Sequence, residues 1–146
     1  FRFFFSKVSR LGDGIFWYGL IVGLYATGRI PDLFTITTIF ASGLMGVLVY
    51  KILKQRLVRE RPFLTNGESV CGTAPLDRYS FPSGHTLHAV NFTVLLAHVA
   101  PETLIITAPF MLLVALSRVV LGLHYPTDVL AGAAIGAALA HLTIAM

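Results

Sequence analysis

Charge is scarce in this chain: only 12% of its 146 residues are Asp, Glu, Lys or Arg, while 55% are hydrophobic and the mean hydropathy is +0.77. A soluble domain carries about 25% charged residues, so the deficit excludes an ordinary water-soluble fold and indicates a membrane protein. Cysteine is scarcer still. Cys71 stands alone, which excludes an intramolecular disulfide and any multi-cysteine metal site and leaves an ordinary loop thiol. Carboxylates are also few, seven against eleven Lys and Arg, for a formal charge of +4. A basic excess raises nucleic acid as a partner, but the basic residues sit beside apolar spans and no nucleic-acid module is recognisable. Lipid headgroups or phosphate are the better targets. An internal repeat, a low-complexity tract and a domain boundary are all lacking, so residues 1–146 read as one domain.

What is present is a succession of apolar runs, which defines an all-α fold: an integral membrane helical bundle of five transmembrane helices, or six if the N-terminal stretch joins them. Residues 1–13, FRFFFSKVSRLGD, combine four phenylalanines with three basic residues and suit a helix lying in the headgroup region, or the stub of a further span. Gly14 to Gly28 is the first span, short for a full crossing, with Gly19 and Gly23 as a close-packing pair. Leu33 to Tyr50 is the second. The third begins at or near Ser83, a good N-cap, and runs to Ala100. Thr103 to Leu121 is the fourth, and Val129 to Met146 the fifth, with Gly132, Gly136 and Ala140 as a close-packing face. Residues 63–81 form the one long polar stretch and read as a loop.

Against that background the polar residues near the span ends matter. Ser117-Arg-Val-Val-Leu-Gly-Leu-His-Tyr-Pro-Thr-Asp128 sets an arginine, a histidine and an aspartate in apolar surroundings. His124 and Asp128 are four apart, with Pro126 suited to a helix first turn, so their side chains share one face. Either the aspartate fixes the tautomer of a nucleophilic histidine, or it is a helix N-terminal carboxylate beside a structural histidine. In KILKQRLVRERP, helical periodicity puts Lys54 and Arg61 on one side. Pro82-Ser83-Gly84-His85 opens a helix whose backbone N–H groups can receive an anion. His98 and His141 read as interfacial residues, and His88, one turn beyond His85, as a buried hydrogen-bonded one.

If five spans alternate across the bilayer, Lys54 to Arg61, the His85 helix start and Arg118 to Asp128 fall on the same side. Three cations, an anion-receptive helix start and two histidines then amount to a phosphate site with a nucleophile and a proton donor.

The same residues carry a family pattern: Lys54 separated by six residues from Arg61-Pro62, then Pro82-Ser83-Gly84-His85, then Ser117-Arg118 separated by five residues from His124, which is separated by three from Asp128. The chain resembles the type 2 phosphatidic acid phosphatase superfamily, whose members commonly have six transmembrane helices. The resemblance implies that His124 attacks phosphorus, Asp128 orients it, and His85 protonates the leaving lipid oxygen and later activates water. It assigns Lys54, Arg61, Ser83, Gly84 and Arg118 to phosphate binding, with no cofactor and no metal required. The implied partners are a lipid phosphate substrate and the bilayer around it. Vanadate-dependent haloperoxidases share the motifs but are larger and soluble. A non-catalytic lipid-phosphate binder or transporter is the rival, although binding alone needs the cations and not both histidines.

Sidedness receives two opposed expectations. Ten of the eleven Lys and Arg residues fall on the site's side and only Arg29 opposite, so the positive-inside tendency favours a cytoplasmic site. The family resemblance implies the opposite, since its bacterial members usually place the site on the outer face of the cytoplasmic membrane, and the outer face is the expectation.

Overall fold

The computed structural model describes residues 1–65 and 79–146, without the side chains of Phe63 and Thr65. Cys71 and most of the polar loop lie outside the described residues. Seven α-helices occur among those described: α1 Arg2–Gly12, α2 Ile15–Ala26, α3 Leu33–Arg56, the single-turn α4 Pro62–Thr65, α5 Gly84–Val99, α6 Leu104–Val120 and α7 Pro126–Ala145. The all-α expectation holds.

The five expected spans correspond to α2, α3, α5, α6 and α7, but they are not equivalent. Three stretches are long and apolar enough to cross a membrane: Leu33–Arg56, Pro101–Val120 and Pro126–Ala145. Helix α2 has 12 residues and α5 has 16. The physical difference lies in what surrounds them. The long helices turn Leu44, Met45, Leu48, Ile105, Leu112, Leu116, Leu130 and Leu142 outward, an apolar surface that a bilayer covers. Helix α5 instead packs against α7, α6 and α3 and also touches α1 and α2. Its buried residues, Thr86, Leu87, Ala89, Asn91, Phe92, Thr93, Leu95 and Leu96, occupy most of its circumference. Surrounded by protein, it can carry polar side chains that a lipid-facing helix could not. Asn91 Oδ1 accepts from Ser42 Oγ of α3 at 3.0 Å, and Ser42 Oγ accepts from Thr143 Oγ1 of α7 at 3.0 Å.

The approach of α7 to α5 depends on the predicted small-residue face. Gly132, Gly136 and Ala140 are buried with Asp128 along one side of α7. A Cβ on Gly136 would meet Leu87 O at 2.3 Å, and one on Gly132 would meet Ser83 O at 2.5 Å. Both obstacles are backbone, so only separation of the helices can relieve the clash. Gly136→Ala is expected to destabilise the bundle by roughly 1–3 kcal/mol, read as a fall of several degrees in the melting temperature in detergent. Gly19→Ala supplies the control. The pair Gly19 and Gly23, expected to pack closely, faces outward with nothing within 4 Å of either Cβ position, and an unchanged melting temperature is expected there.

Helix α1 is amphipathic. Phe5, Val8, Ser9 and Gly12 are buried at helical spacing, and the helix lies chiefly against α6. Phe1, Phe3 and Phe4 are exposed. At the start of α2, Trp17 is fully buried, with its ring 5.9 Å from Phe92 and 5.6 Å from Phe110. At the opposite end of the bundle from His85, Arg29 pairs with Glu102, joining the turn before α3 to the turn before α6. His98 and His141 are exposed near the far ends of α5 and α7, as expected of interfacial residues.

Candidate active site

Three chain segments meet at one end of α5. The first begins in the last turns of α3, where Lys54 is buried and sends Nζ to Tyr79 O at 3.2 Å and over the Tyr50 ring at 5.6 Å. The helical phasing expected to carry Arg61 beside it does not extend that far. Helix α3 ends at Arg56, and residues 57–61 run on as extended chain, with Glu60 bridged to Tyr79 and Ser80 N donating to Arg59 O at 2.8 Å. This strap places Arg61, 1% exposed, beneath the α6–α7 connection, where Nη1 donates to Leu123 O at 2.9 Å.

The second segment is the start of α5. Ser83 is the N-cap, its Oγ accepting from Thr86 N at 3.4 Å and lying 2.9 Å from Thr86 Oγ1. Its N–H donates to Asp128 O at 3.0 Å, tying this helix start to that of α7. Gly84 packs under Tyr50, and His85 follows at the cavity wall.

The third is the connection from α6 to α7. Gly122 has φ +70°, a conformation that glycine adopts without strain. The chain folds back there so that Leu123 N and His124 N both donate to Arg118 O, at 3.0 and 3.1 Å. His124, 2% exposed, therefore precedes α7 and does not share a helical face with Asp128. Its Nδ1 donates to Ser80 O at 2.6 Å, whereas Asp128 Oδ2 is 3.9 Å away, too far for a hydrogen bond. The carboxylate of Asp128 is engaged elsewhere: Oδ2 accepts from Tyr125 N at 2.8 Å, and Oδ1 accepts from Arg59 Nη1 at 2.8 Å. The direct Asp128 to His124 contact expected from spacing is thus replaced by a backbone carbonyl. Sequence reading could not find Ser80, because any residue type supplies that atom.

A cavity of about 180 Å³ opens between these segments and is lined by Lys54, Arg61, Arg118, His85, His124 and Gly84. Ser83 and Asp128 are not in its wall; the Ser83 hydroxyl serves the helix cap and Asp128 stands behind His124. Trp17, Tyr18, Val47 and Phe92 form an apolar and aromatic side of the same cavity. His88 is there too, stacked on Phe92 at 5.9 Å, but its buried Nδ1 has no hydrogen-bond partner among the described residues, contrary to the hydrogen-bonded role expected of it. Asp13, from the turn between α1 and α2, also lines the wall and was not anticipated.

Burial first, and then the charges of Arg118, Arg61 and Lys54, lower the pKa of His124 to about 2, outweighing its bond to Ser80 O. A lowered pKa keeps the imidazole neutral at all higher pH. With Nδ1–H committed to Ser80, Nε2 is left with its lone pair. The ring carbons of His124, followed by NMR on labelled protein without phosphate, are expected to show no titration between about pH 5 and about pH 8, where an ordinary histidine titrates. A titration midpoint inside that window would refute this assignment.

Apolar helices enclosing a buried cavity with three fixed cations define an integral membrane protein with an anion-receptive site. Comparison narrows the class: residues 33–146 match the PAP2 superfamily, and the chain belongs to it. It is 30% identical to phosphatidylglycerophosphatase B of Bacillus subtilis, over 90% of this chain and 68% of that protein. It is 40% identical to decaprenylphosphoryl-5-phosphoribose phosphatase of Mycolicibacterium smegmatis, over 56% of this chain and 43% of that one. The crystal structure of Aquifex aeolicus LpxE superposes with a TM-score of 0.82 at 25% identity, covering 99% of this chain and 86% of that one. The chain spans about half the length of most of the curated relatives it matches.

Proposed function

We propose that the protein is a metal-independent phosphatase of a membrane-lipid phosphate, acting through a phosphohistidine. The observation that carries this reading is the convergence of Lys54, Arg61 and Arg118 with His85 and His124 on one cavity. Fixed cations at this end of the bundle hold a phosphoryl group and offset the charge that develops as it transfers. His124 Nε2, bare and neutral, attacks phosphorus. His85 gives its proton to the departing lipid oxygen, then takes one from the water that releases phosphate. The backbone N–H of Gly84, at the start of α5, adds a donor to the phosphoryl oxygens. Asp128, one layer behind, favours the positive ring that forms when His124 is phosphorylated.

The aromatic and apolar wall beside the cations favours a substrate whose first carbons enter with the phosphate, and the phosphate-bearing lipids in the relatives' names support that class. The test is phosphate release from lipid phosphate by the detergent-solubilised protein in the presence of a chelator. Phosphate binding without release would leave a phosphate-binding protein in place of an enzyme.

We propose that the site lies on the outer face of the cytoplasmic membrane, as the family resemblance implies. Val58, exposed in the strap, gives the test: Val58→Cys in a Cys71→Ser background is expected to react with an impermeant reagent on intact cells. Protection until lysis would put the site on the cytoplasmic face.

A further inference from the structure

The three motifs occupy residues 54–128, yet two of their side chains are held from an earlier part of the chain. Ser9 of α1 accepts a hydrogen bond from Arg118 Nη1, and Asp13 Oδ1 bonds His85 Nε2. Among the described residues Asp13 is the only carboxylate in the cavity wall. A carboxylate there opposes the function proposed above, since it repels the phosphate that the neighbouring cations attract. It is ionised all the same: burial raises its pKa, but the His85 hydrogen bond and the charges of His85, Arg118 and Arg10 lower it overall. The turn that carries it is anchored, because Gly12 is buried where a Cβ would meet Val114 at 3.0 Å.

We propose that Asp13 is a positioning residue for His85, accepting the Nε2 hydrogen so that Nδ1 carries the proton delivered to the leaving oxygen. The proposal rests on the phosphatase reading. An imidazolium has two N–H groups, and Asp13 takes one. Lys54 of α3 and Arg118 of α6 line the same cavity, and their charges disfavour a positive His85; Asp13 is the wall residue that offsets them. As His124 Nε2 bonds to phosphorus, the bond from phosphorus to the lipid oxygen breaks and the Nδ1 proton passes to that oxygen. His85 is then neutral and still donates Nε2–H to Asp13. In the second step the water oxygen bonds to phosphorus, the bond from phosphorus to nitrogen breaks, and the water proton returns to Nδ1.

The experiment compares Asp13→Asn, Asp13→Glu and His85→Ala with the unmodified full chain on an alkyl lipid phosphate and on nitrophenyl phosphate, with inorganic phosphate as inhibitor. The Asp13 side chain is 43% exposed, so the isosteric amide leaves the fold intact. In the first turnover, read by rapid quench as release of the leaving group, Asp13→Asn is expected to be about 10- to 100-fold slower on the alkyl phosphate and under about threefold slower on nitrophenyl phosphate, which needs little protonation. Removing a negative charge should also tighten inhibition by inorganic phosphate, so that binding improves while turnover falls. Asp13→Glu should recover part of the alkyl rate. Equal first-turnover losses on both substrates would make Asp13 merely structural, and an Asp13→Asn enzyme with a faster first turnover on both would make the contact a resting-state block; either overturns the proposal. A His85→Ala enzyme that shows no difference between substrates in the first turnover would overturn the assignment of His85, and the proposal with it. A substrate difference in His85→Ala that is missing from Asp13→Asn would overturn the proposal alone.

Discussion

His124→Ala is expected to lose at least about 10⁴-fold in turnover on any phosphomonoester, whatever its leaving group, because the proposed mechanism forms its covalent intermediate on this ring. His124 is buried, and its ring contacts include Ser80 O, so melting temperature must be measured alongside activity to separate chemistry from folding. Asp128→Asn is the informative companion. An aspartate that alone set the tautomer would make its amide variant lose about 10⁴-fold. Here Ser80 O holds Nδ1 at 2.6 Å and Asp128 stands at 3.9 Å, so the tautomer survives the substitution. What the proposed mechanism loses is charge stabilisation of the phosphorylated ring, together with the ionic part of the contact with Arg59, whose side chain is 41% exposed and can turn to water. An intermediate loss of about 10- to 100-fold is expected. Equal residual activity in the two variants would mean that His124 is not the nucleophile.

His85→Ala is expected to separate the two chemical steps. An alkoxide leaving from a lipid phosphate is strongly basic and needs a proton in the transition state, so that substrate should lose about 10²- to 10⁴-fold in formation of the covalent enzyme. Nitrophenolate leaves without help, and its release should be nearly unaffected in the first turnover. Because the proposed mechanism also makes His85 the base for water, the variant should then stall, giving a stoichiometric burst of nitrophenolate and a trapped phosphoenzyme. That adduct should be labile in acid and stable in base, as a phosphoramidate is. Rapid-quench measurement with labelled substrate reads both features. No burst, with equal losses on the two substrates, would sink the division of labour between His85 and His124.

Much of this was legible in the chain because the bilayer imposes a strong code. Lipid contact demands apolar side chains on every outward face of α3, α6 and α7, and their lengths follow from its thickness. Ser83 as the cap of α5, Pro126 in the first turn of α7 and the small-residue stripe through Gly132 and Gly136 are local or periodic features, and each occurs where the sequence put it. The cations and histidines were legible for a related reason: a charge beside an apolar span is costly enough to need a purpose.

What lay beyond the sequence were contacts whose partner carries no signature or lies far along the chain. Gly19 and Gly23 match a packing pattern and pack nothing, since a small-residue spacing states that a helix can be approached and not that a neighbour is there. Arg61 reaches the cavity only because α3 stops at Arg56 and a strap bonded to residues 79 and 80 carries it on. Ser80 holds His124 through a backbone carbonyl, an atom that every residue has. Asp13, 72 positions from His85, looked like the end of an interfacial stretch until α1 was seen seated on α6. Composition and period determined which helices meet lipid and which residue types carry charge, because those depend on one residue and its near neighbours. The hydrogen bonds that orient the two histidines were decided by the tertiary fold alone, because a hydrogen bond depends on where two distant atoms come to rest, within a few tenths of an ångström.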